Sequence, residues 1–220
     1  MRYSSKPVGW RGESHRHYLA AKGISTKKYF MPVRTGAETP RQRHAGATKF
    51  DPDKFEENKV STTDAIFLKP SGGFWTSSVR EDVGEDDFAT DWEWWSASNQ
   101  CKYSKDCFDV IPDADAKIFT IETPEDVEEI IEKYGEYEEE YYIDGDGNLK
   151  TRHKQGQLVK VDWVEFAKEY DALRVNEEMA QKYHLSMIDV GCMHTSLNSW
   201  DAESTCWFKP KFKEVSREEF

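Results

Sequence analysis

The sequence predicts an α+β domain of bent, mostly antiparallel sheets with interspersed helices, plus a basic helical arm at the N-terminus. Three observations carry this expectation. Strand candidates outnumber helix candidates and are short, and capped helices fall among them without a regular β–α alternation. Aromatic residues also supply the means of burial. At 37% hydrophobic and 33% charged the chain looks dilute, yet 8 Trp, 10 Tyr and 12 Phe among 220 residues compensate, since each ring can remove well over about 100 Å2 from water. A chain of this length suits one large domain with an appendage. The expected division is a basic arm over 1–28, a single α+β domain over 29–215 and a charged tail over 216–220.

The elements follow in order. Ser14 caps a helix to about Lys22, which Gly23 ends in the left-handed conformation. Tyr18, Leu19 and Ala21 give it only a thin apolar stripe, so it needs a partner surface. His15 and His17 are expected to be solvated or salt-bridged. The run from Lys28 to Gly36 reads as a short strand, followed by a loop rich in Gly, Thr and Arg. Asp51–Asn58 reads as a short helix with Pro52 at its first position. Ala65–Ser78 reads as a strand, a Ser-Gly-Gly turn and a second strand. An acidic loop spans Arg80–Asp91, and Asp91-Trp-Glu-Trp-Trp95 then concentrates three tryptophans.

Ala116–Ile121 is a strand leading into a helix capped by Thr123, with Pro124 first, Val127, Ile130, Ile131 and Tyr134 as the buried stripe, and Gly135 as the stop. Residues 142–150 make a hairpin turn. Asp144, Asp146 and Asn148 have calcium-loop spacing, but Leu149 stands where that loop needs Gly and Gln155 where it needs Glu. Asp162 and Glu165 open a capping-box helix that buries Trp163, Phe166 and Ala167. Ala172–Val175 and Ser204–Phe208 are strands, the latter stopped by Pro210. No internal repeat is present.

Charge is unevenly placed. Residues 1–50 hold 11 Lys/Arg against 2 Asp/Glu, a balance of +9, and the remainder holds 19 against 40, or −21, which together give −12. A basic arm on an acidic body implies two surfaces with different partners, the arm suited to nucleic acid or an acidic protein surface. No window approaches the roughly 18 apolar residues of a membrane span, and no apolar signal core follows Met1. The expectation is therefore a soluble cytoplasmic protein without membrane contact. Four cysteines are too few for a disulfide scaffold. Cys101, Cys107, Cys192 and His194 are zinc-type ligands, but they contain no C-x2-C pair.

Two segments combine special backbone with polar groups. In Lys69–Ser78, paired glycines permit close backbone approach, Phe74 and Trp75 offer stacking faces, and three hydroxyls follow. A plain hairpin with a Ser/Thr edge is the ordinary alternative. In Ser199–Phe208, Asp201 and Glu203 lie two apart, so on a strand both project to one face, where they repel unless a cation or ligand lies between. A solvated strand end is the ordinary alternative there. The chain has no Walker P-loop, G-x-S-x-G elbow, H-E-x-x-H or dinucleotide fingerprint.

The order of these pieces resembles the ADP-ribosyltransferase fold. That fold has a first strand with an Arg or His near a Gly, a middle strand with a Ser-Thr-Ser or small-aromatic signature, and a late strand with a catalytic Glu. Val33-Arg34-Thr35-Gly36 looks like the first element, Gly73-Phe74-Trp75-Thr76-Ser77-Ser78 like the second, and Asp201-Ala-Glu203 with the run to Pro210 like the third. Residues 69–210 also resemble a group of uncharacterised prokaryotic and viral proteins that pair a Gly-Gly-aromatic-Trp-x-Ser segment with a Trp-Asp-x-x-Ser segment. The middle motif here reads Thr-Ser-Ser, and the first acid is Asp in place of Glu or Gln.

The resemblance implies NAD as co-substrate and an acceptor of ADP-ribose. Glu203 would be the catalytic carboxylate and Asp201 the group that orients or deprotonates the acceptor. Arg34 would hold a phosphate, Gly73 would meet the nicotinamide amide, Trp75 and Thr76 would contact the cofactor, and Ser77 would orient Glu203. This reading requires Glu203 to share a cleft with the Gly72–Ser78 bend. The rival is a non-enzymatic, nucleic-acid-associated or structural protein of a virus or mobile element, virion-associated if viral, working through its arm. A third option is a transferase-like fold that binds a nucleotide without turnover. In the rival case, binding to a labelled duplex falls steeply as salt is raised, because counterion release dominates. Removing residues 1–28 abolishes it, as read by fluorescence anisotropy.

Overall fold

The structure is a computed structural model, and it describes residues 33–61, 68–80, 88–99, 105–191 and 193–215. The chain divides into two compact units, Met1–Met31 and Pro32–Phe220. The described residues all belong to the second unit. The expected arm helix, the strand residues 28–32 and 65–67, residues 81–87 of the acidic loop, and Cys101 and Cys192 lie outside the described residues.

The class is α+β. The first strands in chain order are β1 (Val33–Thr35), β2 (Gln42–Ala45), β3 (Phe74–Ser78), β4 (Cys107–Pro112) and β5 (Lys117–Ile121). Short strands β6 (Gly135–Glu136), β7 (Glu139–Ile143), β8 (Leu149–His153) and β9 (Lys160–Val161) come next. The remaining strands are β10 (Ala172–Val175), β11 (Met187–Val190), β12 (Met193–Ser196), β13 (Ser204–Trp207) and β14 (Phe212–Val215). The helices are α1 (Pro52–Glu57), α2 (Asp91–Ser98), α3 (Pro124–Tyr134), α4 (Trp163–Glu169) and α5 (Glu177–Tyr183).

Eight strands form one sheet in the order β1-β5-β10-β13-β3-β2-β4-β14. Every neighbouring pair in it is antiparallel except β5–β10. That one parallel pair follows from the connection between them, which runs through α3 and α4, since parallel neighbours need a long crossover. Both helices lay their apolar stripes on this part of the sheet. Val127, Ile130, Ile131 and Tyr134 are buried as the 3.6-residue spacing requires, and Phe166 meets Phe119 edge-on at 5.7 Å. Asp126 reaches back to the N–H of Thr123, and Asp162 accepts from Glu165 at the start of α4. The opposite face carries a second core of Phe55, Ala116, Ile118, Ala172 and Trp207, rimmed by Phe50, Phe74 and Phe212.

The hairpin β7–β8 pairs Ile143 with Leu149, with its Asp144–Asn148 turn closed by Asp144 Oδ1 on the N–H groups of Asp146 and Asn148. Tyr141, Ile143 and Leu149 on it are 72%, 71% and 69% exposed.

Several elements were not among those expected, β2, β14 and α2 with them. The stretch expected as a loop after Gly36 contains β2, which sits between β3 and β4. It escapes an apolar-alternation search because its inward side chains are polar. Gln42 is fully buried, donating to Ser78 Oγ at 2.8 Å and accepting from Thr76 Oγ1 at 3.0 Å. The chain after Pro210 returns as β14 instead of running on as a tail from there. The tryptophan-rich run is α2, and its amphipathicity is inverted: Asp91, Glu93 and Ser96 are buried while Trp92 and Trp94 are exposed. The buried side meets polar partners. Glu93 closes a capping box with Thr90 and lies 3.4 Å from Arg43. No helix among the described residues is long and apolar enough to cross a membrane.

Gly73 opens β3 at φ +79°, and a Cβ there would come within 2.5 Å of Cys206 Sγ. Gly147, at φ +83° in the hairpin turn, has open space around it. Gly73→Ala is therefore expected to combine backbone strain with overpacking and lose about 2–4 kcal/mol, against about 1–2 kcal/mol for Gly147→Ala. Urea unfolding of the two variants measures the difference.

Candidate functional site

β13 lies between β10 and β3. Its register sets Thr205 opposite both Arg174 and Thr76, so Glu203, just before the strand, arrives at the far end of β3. The Glu203 residue is 4% exposed. Its Oε1 accepts from Ser78 Oγ and from Arg174 Nε, both at 2.8 Å. Its Oε2 accepts from Ser77 Oγ at 3.0 Å and from the Ser78 N–H at 2.6 Å. The Glu203 N–H in turn donates to Asp91 Oδ2 at 2.8 Å. One carboxylate thus takes four donors and ties three strands and α2 together. Charge-assisted bonds of this kind are the strong ones.

This junction floors a cavity of about 520 Å3 that is also lined by Arg80, Asn176 and Glu177. Burial lifts the Asp91 carboxyl above its usual range, opposed by the Glu203 N–H and by Arg80. Arg80 bridges Asp91 and Glu177 at 3.3 and 3.4 Å. Arg174 spends Nε on Glu203 and Nη2 on Ser78, which leaves Nη1 with no hydrogen-bond partner among the described residues. In the same cross-strand row, Thr120 and Thr205 flank Arg174 with buried hydroxyls that have no hydrogen-bond partner among the described residues.

On the other side of β3, Arg43 of β2 grips Asp109 with Nε at 2.7 Å and Nη2 at 3.0 Å. Its neighbour His44 places Nδ1 2.8 Å from the Trp75 carbonyl. A carbonyl only accepts, so Nδ1 carries the proton, and burial lowers the imidazole pKa despite that bond. Nε2 is therefore the unprotonated nitrogen. The ring stacks on Phe74 at 4.5 Å, and it lines a cavity of about 870 Å3 together with Gly46, Gly73 and Trp75.

Among the residues singled out from sequence, Trp75, Thr76, Ser77 and Glu203 come together on adjacent strands. Ser77 reaches the Glu203 carboxylate directly. Thr76 is buried between Gln42 and the Trp207 indole N–H. Gly73 has no backbone group to spare, because its N–H donates to the Asn58 carbonyl and its own carbonyl accepts from Asn58 Nδ2. Arg34 is not brought to the site. It lies on β1, three strand positions from β13 with β5 and β10 between, roughly 14 Å away at ordinary strand spacing, and it is held by Glu122 at 2.8 Å. Asp201 and Glu203 both precede the strand and do not form a facing pair. Asp201 acts on Lys69 through space, while Glu203 turns to Arg174.

Sequence reasoning passed over Arg174, Ser78, Asp91 and His44. Two signals were present: an arginine inside the otherwise apolar Ala-Leu-Arg-Val, and a second arginine close before a glycine, in Arg43-His44-Ala45-Gly46. Of the zinc-type ligands, the Cys107 thiol donates to the Lys105 carbonyl at 3.5 Å, His194 pairs with Asp189 at 2.7 Å, and no metal-holding group of three or more His, Cys, Asp or Glu exists among the described residues.

Glu203→Ala strands the half-buried Arg174 and three further donors, so it is expected to cost about 3–5 kcal/mol. Glu203→Gln keeps an acceptor oxygen and is expected to cost about 1–3 kcal/mol; chemical denaturation followed by tryptophan fluorescence checks both. The comparisons with known proteins add no kinship, since no family model, curated protein or solved structure matches the chain.

Proposed function

We propose that the chain is an ADP-ribosyltransferase-like, NAD-binding protein that transfers ADP-ribose to an acceptor. The observation that carries this reading is the adjacency of β2, β3 and β13. That order gathers an Arg-His-x-Gly run, a Trp-Thr-Ser-Ser strand and a serine-held glutamate, the three elements that the resemblance sets side by side. The first of them is then Arg43-His44-Ala45-Gly46, in place of the remote Arg34 and Gly36.

The residues present suit such a substrate. A pyrophosphate needs a cation with N–H groups to give, and Arg174 and Arg80 border the cavity at Glu203. A ribose hydroxyl needs an acceptor, which the unprotonated Nε2 of His44 provides in the cavity it lines with Gly73 and Trp75. Bound NAD supplies an electrophilic ribose carbon with nicotinamide as its leaving group. Glu203 holds a fixed negative charge where positive charge develops, and Ser77, Ser78 and Arg174 keep it from reorganising. Asp201, half-buried and near Lys69, orients the incoming acceptor or takes its proton.

A second reading, nucleotide binding without turnover, is favoured by one specific feature: all four donors on Glu203 come from the protein itself. One assay separates the two. The transferase is expected to consume labelled NAD, and Glu203→Gln is expected to lose about 10²–10³-fold in rate while NAD still raises its melting temperature. Equal turnover by that variant discards the catalytic assignment. NAD binding without any consumption by the unmodified protein selects the second reading, and no binding removes both.

A further inference from the structure

On the face of β2–β3–β13 that carries Arg43, Trp75, Ser77 and Ser204 lies a third, half-open cavity of about 300 Å3, bordered by Lys69 and the Trp92 of α2. Neither Glu203 nor Arg174 lines it. Its chemistry is unlike that of the rest of this chain. With 42 acidic residues against 30 basic ones, the other two cavities are lined by carboxylates such as Asp51, Glu57 and Asp106, or Asp91, Glu177 and Glu178. No Asp or Glu lines this one.

Of its two cations, Arg43 is already neutralised by Asp109 and Glu93. Lys69 is not. No carboxylate lies within ion-pair distance of its Nζ among the described residues. Its one hydrogen bond among them goes to the carbonyl of Ser199, and its charge otherwise rests on the Trp75 ring at 5.0 Å and the Trp200 ring at 6.0 Å. Ser199 is the one non-glycine residue with positive φ, +80°, among the described residues. It is pinned there by the neighbouring Trp200, whose indole donates to the Leu68 carbonyl. Such strain persists only where surrounding structure enforces it, and here it aims a carbonyl at the ammonium. Burial also lowers the Lys69 pKa, with Asp201 acting the other way.

We propose that this cavity binds a small planar aromatic carboxylate, its ring against Trp75 and Trp92 and its anionic group on Lys69. The volume corresponds to about ten water-sized units at roughly 30 Å3 each, which matches one aromatic ring bearing a carboxylate. An anion there gains an unpaired ammonium in a partly desolvated site, where charge pairing is worth more than in water. A neutral isostere gains only the ring contacts. The inference goes beyond the NAD reading and does not depend on it.

Benzoate and benzamide test the proposal, because they share shape and differ in charge. Titration of the full chain by calorimetry and saturation-transfer NMR is expected to show benzoate binding at least tenfold more tightly, a difference of about 1.4 kcal/mol. Lys69→Met is expected to erase that preference. Trp92→Ala alters an exposed side chain and so spares the fold, and it is expected to weaken both ligands several-fold. Equal binding of acid and amide, a preference that survives Lys69→Met, or no binding of benzoate at millimolar concentration overturns the proposal.

Discussion

A single buried carboxylate organises the middle of this sheet. Glu203 receives donors from β3 and β10, stands at the start of β13, and passes its own N–H to Asp91 at the start of α2. Removing any one of these partners leaves a buried or half-buried polar group short of a partner. The network is therefore strong only when complete. The same logic extends sideways through Gln42, Thr76 and Ser78, and then through Arg43, Asp109 and Glu93. The sheet has apolar layers under its helices and a polar seam between β10 and β4.

How much of this was legible in the sequence depended on which physics placed each element. The α3 helix announced itself through Thr123, Pro124 and a 3.6-residue stripe, because apolar burial and capping placed it. The β7–β8 hairpin and strands β10 and β13 were legible for similar reasons. The β2 strand was not, because Gln42 and Arg43 are buried by hydrogen bonds and ion pairs with strands more than 30 residues away. Nothing local reports such partners. The α2 helix was illegible in a related way: its buried side is Asp91, Glu93 and Ser96, while Trp92 and Trp94 are exposed. At the site, the Gly73–Ser78 and Asp201–Glu203 segments stood out through unusual composition. Arg174 and His44 did not, since only sheet order reveals whom they meet. Arg34 shows the converse, a fitting motif on a strand that the sheet order sets apart from Glu203.

The three cavities sort by charge more clearly than by size. The one at Glu203 mixes arginine with carboxylate, as a ligand carrying both phosphate and sugar hydroxyls would need. The one at His44 adds an unprotonated imidazole nitrogen and stacked aromatic rings. The one under Trp92 has no acid at all. Ser77 stands between the first and the third, its hydroxyl on Glu203 and its strand forming a wall of the smaller pocket. Occupancy on one side would therefore be felt on the other through a single side chain.

The exposed hairpin has a practical use of its own. Tyr141, Ile143 and Leu149 bury little, and the Asp144–Asn148 tip is closed by its own carboxylate. Exposed tips of this kind tolerate inserted sequence better than any packed element. A fluorophore, an affinity tag or a new pair of termini placed there would report on the molecule while leaving the buried seam untouched.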